Sequence, residues 1–483
     1  MTRPHVFSIG STTVSNGKLD LASATITRMS EALRKREISP VELVTATLER
    51  IEALQPRLQC FTTLTPEYAL QRAREAEHEI TQGRYRGPLH GIPYTLKDVV
   101  ATKGIRTTFG DPKGVDYRPQ ESATLHTLIE DAGGILLGKV VSEIGRSMTG
   151  PVGARNAWDT TRSPGTSSSG SASAVAASLG FASIGTDTGG SVRHPASNSG
   201  LVGMKASFGR ISRFGVWASS WMSDQAGPLT RTVEDNALML EILGVYDPKD
   251  PVSLNQPREA YRAGLRDGIK GVRIGVPVDD WIWKEWLSEE EEEVVRRAIA
   301  VLRTLGASVT EVRLPRCAIG RSILHTLLAS EAQTYLEDHY TPEQIAAWPE
   351  WHPRLEQGRS QSFSDYLHAQ HARALICQEL TDVLRQVDVI AMPTGSTFGD
   401  AWNAETVVIR GREAPARSRA VYRNAFASLS GNPELSVPCG FGLRDTFPIG
   451  LMLHGRPLEE ALLYRVGYAY EQATPWHTRH PPL

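Results

Sequence analysis

The segment from residue 163 to residue 203 constrains the fold of this chain more than any other part. A serine- and glycine-rich turn, SPGTSSSGS, leads into an alanine-rich helix, and the apolar strand after it breaks off in the loop GTDTGGS. Small residues leave the backbone of such a loop open to a ligand. Serines ahead of a helix gather hydroxyls and backbone N–H groups at its N-terminus. The loop GTDTGGS therefore has the composition of a nucleophile loop.

Helical and strand patterns alternate along the rest of the chain. Apolar runs typical of buried strands include ILLGKVV (135–141), GVRIGVPV (271–278) and VDVIAMPT (387–394), with helical patterns between them. This alternation predicts an α/β fold, in which helices cover both faces of a large mixed, mostly parallel, twisted sheet. Residues 21–80 are expected to form three helices of a scaffold, because Ser39-Pro40 and Thr65-Pro66 are helix-start signals.

Composition narrows the class of function. Lysine and arginine (52) nearly balance aspartate and glutamate (54), which argues against a nucleic acid or an anionic membrane as the main partner. No apolar run approaches the roughly 20 residues that span a bilayer. The four cysteines lie far apart without a CxxC pair, so neither a zinc site nor a disulfide framework is indicated. We expect a cytoplasmic enzyme that acts on a neutral small molecule.

Ser191, at the end of GTDTGGS, is the candidate nucleophile, and it requires a base. Histidine is the usual partner, but His194 lies between Arg193 and Pro195, and no GxSxG motif surrounds Ser191. The 13 histidines form no HExxH pattern, and no GxxxxGK[ST] phosphate loop occurs. The chemistry that remains pairs the serine with a lysine that is desolvated enough to be neutral.

Lys97 is the candidate for this base, since it ends the short apolar run HGIPYTLK and precedes Asp98. An ion pair with Asp98 or another carboxylate is the competing interpretation, because buried lysines are usually compensated by an opposite charge. The residues alone leave both interpretations open.

Together these segments resemble the amidase signature family. That family combines a glycine- and serine-rich turn, a GTDTGGS-type loop and an earlier lysine in a GIP-x-x-x-KD stretch, which match Ser163–Ser171, Gly185–Ser191 and Gly91–Asp98 here. The similarity covers most of the chain and weakens between about 240 and 350. It implies one amidase domain over residues 1–483, with residues 1–80 as a helical N-terminal scaffold and 240–350 as a variable insertion on the substrate side.

The resemblance also implies catalytic roles. Ser191 matches the acylated nucleophile, Ser167 the bridging serine of the Ser-cisSer-Lys triad, held by a cis peptide bond, and Lys97 the general base. The backbone N–H groups of Thr188, Gly189, Gly190 and Ser191 match the oxyanion hole. No cofactor and no metal are implied.

Further residues are expected around this triad. Asp187 and Arg193 are predicted to hold the loop through hydrogen bonds, and Ser168 to contact the proton relay. Met148, Phe214, Trp217 and Trp221 lie on segments expected near the substrate pocket, although ordinary packing explains them equally well. The family pattern GGSSGGS reads GTSSSGS here, so that Thr166 and Ser169 replace two glycines.

The leading functional hypothesis is a stand-alone serine hydrolase of C–N bonds, acting on a small-molecule amide, aryl amide or carbamate. The first alternative is the glutaminase component of a tRNA-dependent amidotransferase, although the RRIMLGTY-like segment typical of that component is missing. The second alternative is a non-catalytic binding protein that retains the fold. A homodimer is left open.

Overall fold

The structure of the chain is a computed structural model. It describes residues 14–15, 18–109, 116–143, 153–217, 220–395, 401, 404–415, 422–442 and 447–483.

Helices and strands alternate through most of this range. The helices are α1 (Ile26–Lys35), α2 (Pro40–Leu58), α3 (Pro66–Thr81), α4 (Thr124–Asp131), α5 (Ser169–Ala176), α6 (Arg193–Ser199), α7 (Val233–Leu243), α8 (Asp280–Trp283), α9 (Glu289–Thr304), α10 (Gly320–His339), α11 (Pro342–Ala346), α12 (His352–Ser360), α13 (Phe363–Gln386), α14 (Ala425–Ser430) and α15 (Glu460–Gln472). The strands are β1 (Val14–Ser15), β2 (Lys18–Leu19), β3 (Phe61–Leu64), β4 (Pro93–Lys97), β5 (Ile135–Val140), β6 (Ala182–Asp187), β7 (Val202–Lys205), β8 (Gln225–Thr230), β9 (Arg273–Pro277), β10 (Ser308–Val312), β11 (Val389–Pro393), β12 (Thr406–Ile409), β13 (Arg412–Pro415), β14 (Glu434–Phe441) and β15 (Pro448–His454).

A mixed sheet of 11 strands, in the order β10-β9-β11-β15-β14-β7-β8-β6-β4-β5-β3, forms the centre of the fold. This confirms the predicted α/β class with a large mixed sheet. Four neighbouring pairs are parallel and six are antiparallel, so the expectation of a mostly parallel sheet was wrong. The short connection between β14 and β15 contains no crossover helix, and strands joined in this way pair antiparallel.

Helices cover both faces of the sheet, as predicted. Successive residues of a strand point to opposite faces, and along β5 Leu136 belongs to one buried apolar cluster while Ile135 and Leu137 belong to another. The first cluster includes α7, α9 and α15, and the second includes α2, α3 and α5.

The three predicted N-terminal helices are α1, α2 and α3. Ser39 caps α2 with a capping box and Pro40 occupies its first turn, while Pro66 occupies the first turn of α3. The edge strand β3 between α2 and α3 was not predicted, because only four residues carry it and their burial does not alternate cleanly.

None of the helices in the described ranges combines the length and the apolarity that crossing a lipid bilayer requires.

The two functional turns meet at one edge of the sheet. Strands β4 and β6 are parallel neighbours, with Leu96 opposite Ile184, so that their carboxyl ends lie side by side. Lys97 ends β4 and Asp187 ends β6, while α5 packs against both strands. The carboxyl edge of parallel strands is where open α/β sheets commonly bind ligands.

Candidate active site

Lys97 projects from the end of β4 into a cluster of hydroxyl groups. Its Nζ lies 2.8 Å from Ser167 Oγ, 3.1 Å from Ser168 Oγ and 2.7 Å from Thr186 Oγ1. The side chain is fully buried. No carboxylate in the described part of the chain lies within ion-pair distance of it.

Asp98, the predicted competing partner of Lys97, faces another lysine. Its Oδ1 lies 3.7 Å from Nζ of Lys139 on the neighbouring strand β5, and its carboxylate also accepts hydrogen bonds from Thr62 and Thr108. The side chains of consecutive residues on a strand point to opposite faces, which separates Asp98 from Lys97. The ion-pair interpretation of Lys97 is therefore wrong.

Burial without a counter-ion favours the neutral form of Lys97. Desolvation lowers the pKa of this lysine to about 7, although the carboxylates of Asp224, Asp187 and Glu143 oppose the shift. A neutral amine can donate two hydrogen bonds and accept one. Ser168 Oγ donates to the Thr186 carbonyl oxygen (3.0 Å), so towards Lys97 it can only accept. Ser167 is therefore free to donate its proton to the lysine.

Ser168 fixes the turn against the strand, as the sequence predicted for a neighbour of the relay. Its Oγ also accepts a hydrogen bond from the backbone N–H of Thr186 (3.2 Å). This close approach requires Gly185 on β6, because a Cβ atom at that position would lie 2.7 Å from Ser168 Oγ. The first glycine in GTDTGGS thus brings α5 and β6 close enough to build one site.

Ser191 lies on the turn between β6 and α6, half-buried like Ser167 and Thr166. Its Oγ accepts a hydrogen bond from Thr166 Oγ1 at 3.2 Å. Ser167 and Ser191 themselves form no hydrogen bond within the described residues, so the predicted relay is connected from Lys97 to Ser167 but not onward in this conformation. The contact from Thr166 was not predicted; its signal in the sequence is the threonine at a position where the family pattern has glycine.

The cis peptide bond expected before Ser167 is absent, because every peptide bond of the described residues is trans. This expectation is corrected. The Ser167 hydroxyl reaches Lys97 from a trans backbone, so the observed contact does not depend on a cis bond.

The loop before Ser191 presents backbone N–H groups, but fewer than expected. The Gly190 N–H donates to Asp187 Oδ1 at 2.7 Å, so it is not available to a substrate and its predicted place in the oxyanion hole is corrected. In the described part of the chain, the N–H groups of Thr188, Gly189 and Ser191 donate to no protein acceptor. Three of the four predicted donors therefore remain open.

Asp187 and Arg193 hold this loop from behind, as predicted. The Asp187 carboxylate accepts from the N–H of Gly190 and of Val192 (3.0 Å), and Arg193 binds it through Nη2 (2.7 Å) and Nε (3.0 Å). Burial alone would raise the pKa of Asp187, but the Arg193 guanidinium and these N–H donors hold it well below its usual range. The carboxylate stays charged and fixes the loop backbone.

Arg193 extends the network into the C-terminal part of the sheet. Its Nη1 donates to Glu434 on β14 and to the carbonyl oxygen of Asn424, and its Nη2 donates to Ser428. All five N–H groups of the guanidinium thereby have acceptors. Glu434 in turn faces His454 on β15, with Oε1 2.9 Å from Nδ1. Sequence reasoning missed Glu434, because 241 residues separate it from its arginine.

The predicted pocket residues behave differently from one another. Trp217 is buried, packs edge-to-face on Tyr335 and Trp351, and donates from Nε1 to Tyr340, so it serves as packing. Phe214 lies beside Lys249, whose Nζ is 4.7 Å from the ring centroid. Met148 lies outside the described residues.

Trp221, by contrast, is 60% exposed and lies on a segment that contacts the oxyanion loop. Asp224 of the same segment accepts hydrogen bonds from the Thr188 hydroxyl and from the Ser220 N–H (2.9 Å). Glu331 on α10 accepts from the Ser220 hydroxyl at 2.5 Å and so ties the segment to the helices that follow residue 320.

No group of three or more histidine, cysteine, aspartate or glutamate side chains within the described residues is arranged to hold a metal ion. What the site offers is a buried lysine, a hydroxyl relay, a serine on a turn and open backbone donors, which are the parts needed for acyl transfer.

Comparison with known proteins identifies the class. The family model described as Amidase matches residues 42–464, and the chain belongs to this amidase signature family. It is therefore an enzyme that acts on C–N bonds.

Individual relatives cover nearly the whole chain. The A-type component of the glutamyl-tRNA(Gln) amidotransferase of Chloroflexus aggregans is 36% identical over 96% of this chain and 99% of its own. The peptide amidase from Stenotrophomonas maltophilia is 30% identical with a TM-score of 0.82, covering 96% of this chain and 99% of its own. A structure described as a vestigial protein complex that reveals the origins of an s-triazine catabolic enzyme is 29% identical with a TM-score of 0.87, covering 93% and 98%.

Proposed function

We propose that this chain hydrolyses the C–N bond of a small-molecule amide, aryl amide or carbamate through an acyl-enzyme on Ser191, with Ser167 and Lys97 carrying the proton. The observation that carries the proposal is the environment of Lys97. A lysine that is fully buried among three hydroxyls, with burial lowering its pKa to about 7, is suited to accept a proton from a serine.

In the acylation step, Ser191 Oγ attacks the carbonyl carbon while its proton passes to Ser167 and the Ser167 proton passes to Lys97. This transfer requires the Ser191 hydroxyl to turn from Thr166 towards Ser167, a rotation about one side-chain bond. The N–H groups of Thr188, Gly189 and Ser191 then stabilise the oxyanion of the tetrahedral intermediate. When the C–N bond breaks, the same relay returns the proton to the leaving nitrogen.

In the deacylation step, water attacks the acyl carbon and gives its proton to the relay. The bond between the acyl carbon and Ser191 Oγ then breaks, and the relay returns a proton to the serine. Bond making and breaking balance without a cofactor. The exposed Trp221 and the segment tied to α10 are proposed to border the acyl or leaving-group side, consistent with residues 240–350 varying among substrates.

The test is amine or ammonia release from a panel of aliphatic amides, anilides and carbamates, with wild type beside Ser191→Ala. We expect release from at least one of these classes and a loss of at least about 10³-fold in the variant. Full activity of Ser191→Ala would contradict the mechanism. We also propose that the enzyme works in the cytoplasm, since its four cysteines are free thiols.

A second candidate function is glutaminase activity within an amidotransferase complex. It is supported by the curated relatives that are named as A-type components of glutamyl-tRNA(Gln) amidotransferases, which match over 96% of this chain. Ammonia release from glutamine, with no turnover of the other amides, would favour this candidate over the first. The two candidates share the same site and differ in the substrate that reaches it.

A further inference from the structure

Thr166 is the polar side chain that contacts the candidate nucleophile directly. Its Oγ1 donates to Ser191 Oγ at 3.2 Å, whereas Lys97 contacts Ser167, Ser168 and Thr186 and not Ser191. The nucleophile thus has a hydroxyl partner outside the Ser191–Ser167–Lys97 relay.

The backbone around Thr166 is fixed on both sides. On its C-terminal side, the Thr166 carbonyl oxygen accepts the Ser169 N–H (2.9 Å) in the turn that starts α5. On its N-terminal side, Gly165 has a φ of +136°, and a Cβ atom there would lie 2.8 Å from the Cα of Pro195 on α6. A β-branched side chain has few rotamers on a fixed backbone. The Thr166 hydroxyl is therefore held at the turn that carries Ser191.

We infer that Thr166 is a further catalytic residue, whose hydroxyl stabilises the negative charge that builds on Ser191 Oγ. The inference rests on the proposed acyl-enzyme mechanism. The Ser191 proton leaves through Ser167 to Lys97, and the Thr166 proton stays on its own oxygen as a hydrogen-bond donor. No bond of Thr166 forms or breaks.

The same donor acts in both half-reactions. During acylation, Ser191 Oγ gains negative charge as its proton departs and before the bond to the carbonyl carbon is complete. During deacylation, the bond between the acyl carbon and Ser191 Oγ breaks, and the oxygen leaves as a developing alkoxide until the relay protonates it. A donor placed on this oxygen stabilises it in both transition states and costs no reorganisation.

The test uses two matched variants. Thr166→Val keeps the shape of the side chain and removes the hydroxyl, while Thr166→Ser keeps the hydroxyl and removes the methyl group. We expect Thr166→Val to slow acylation by about 10-fold, as loss of one hydrogen bond to a developing charge predicts, with KM little changed. Thr166→Ser should stay within about 3-fold of wild type, since the donor is retained. Acylation is measured as the rate of labelling by a fluorophosphonate and as the single-turnover rate on an anilide.

Ser191→Ala separates the failure of this inference from failure of the proposed function. If Ser191→Ala is inactive and Thr166→Val acylates at the wild-type rate, Thr166 has no catalytic part and the inference is overturned. If Thr166→Ser is as slow as Thr166→Val, the methyl group matters and the hydroxyl does not, which also overturns it. Activity that persists in Ser191→Ala would instead contradict the acyl-enzyme mechanism itself.

Discussion

Two buried lysines on neighbouring strands show how single residues divide structure from chemistry. Lys139 on β5 lies 3.7 Å from Asp98, and desolvation lowers its pKa to about 8. Lys97 on β4 has hydroxyl partners only, and desolvation lowers its pKa to about 7. The lysine beside the carboxylate is compensated, and the one among hydroxyls is available as a base.

The pH dependence of acylation follows from Lys97. Only the neutral amine accepts a proton, and desolvation, the dominant effect, places its pKa at about 7. On a substrate that does not titrate, kcat/KM is therefore expected to fall tenfold per pH unit below about pH 7 and to level off above it. A pH–rate profile between about pH 5 and pH 9 checks this.

Lys205 is the matched control for that profile, since burial also lowers its pKa to about 7. Its Nζ donates to the backbone carbonyls of Ala206 and Asn432 and to no catalytic hydroxyl. Lys205→Met should keep the midpoint of the wild-type profile. A profile that is flat in wild type, or a midpoint that disappears in Lys205→Met, would remove Lys97 from the role of base.

At the scale of elements, the nucleophile loop depends on strands far away in the sequence. Arg193 at the start of α6 binds Asp187 at the end of β6 on one side and Glu434 at the start of β14 on the other. The charges are buried and alternate in sign, and His454 of β15 completes the row. The C-terminal strands thereby support the turn that carries Ser191.

Two isosteric variants are expected to separate support from catalysis. Glu434→Gln removes one partner of a buried ion pair and should lower the free energy of unfolding by about 3 kcal/mol, with kcat reduced only slightly. Asp187→Asn also loses a loop anchor and should lower kcat by about 10²-fold, because the oxyanion donors lose their alignment. Denaturant unfolding and steady-state kinetics measure the two effects. Equal kcat losses in both variants would show that the network acts as one unit.

The sequence predicted the parts of the site that depend on local pattern. Ser167, Ser168 and Lys97 meet as expected, because the turn before α5 and the ends of β4 and β6 follow from motifs at short spacing. Glu434 could not be predicted, since its contact with Arg193 depends on the order of strands in the sheet. The hydrogen bond that occupies Gly190 N–H depends on where Asp187 points, which composition does not encode.

At the scale of the whole molecule, the predicted class of fold was correct and the balance of strand directions was not. Helix–strand alternation identifies an α/β fold, but it does not say which strands become neighbours. Strands β7, β8, β14 and β15 join the sheet antiparallel and place the C-terminal part of the chain beside α6. The site is consequently built from residues 90–200 and supported by residues beyond 420.

The choice between a stand-alone hydrolase and a component of an amidotransferase is likewise a property of the whole molecule. We expect the purified chain, with no partner added, to turn over a neutral amide, anilide or carbamate, because the proposed relay lies within it. Size-exclusion chromatography with light scattering gives its oligomeric state in the same preparation. Turnover of glutamine only after a partner protein is added would decide for the alternative.

The most direct test of the central claim is to identify the acylated residue by mass spectrometry after rapid quenching with a slowly hydrolysed substrate or a fluorophosphonate. The account predicts one added acyl or phosphonyl group on the peptide that contains Ser191, and at least about 10³-fold slower labelling in Lys97→Met. Labelling at another residue, or undiminished labelling in Ser191→Ala, would contradict it.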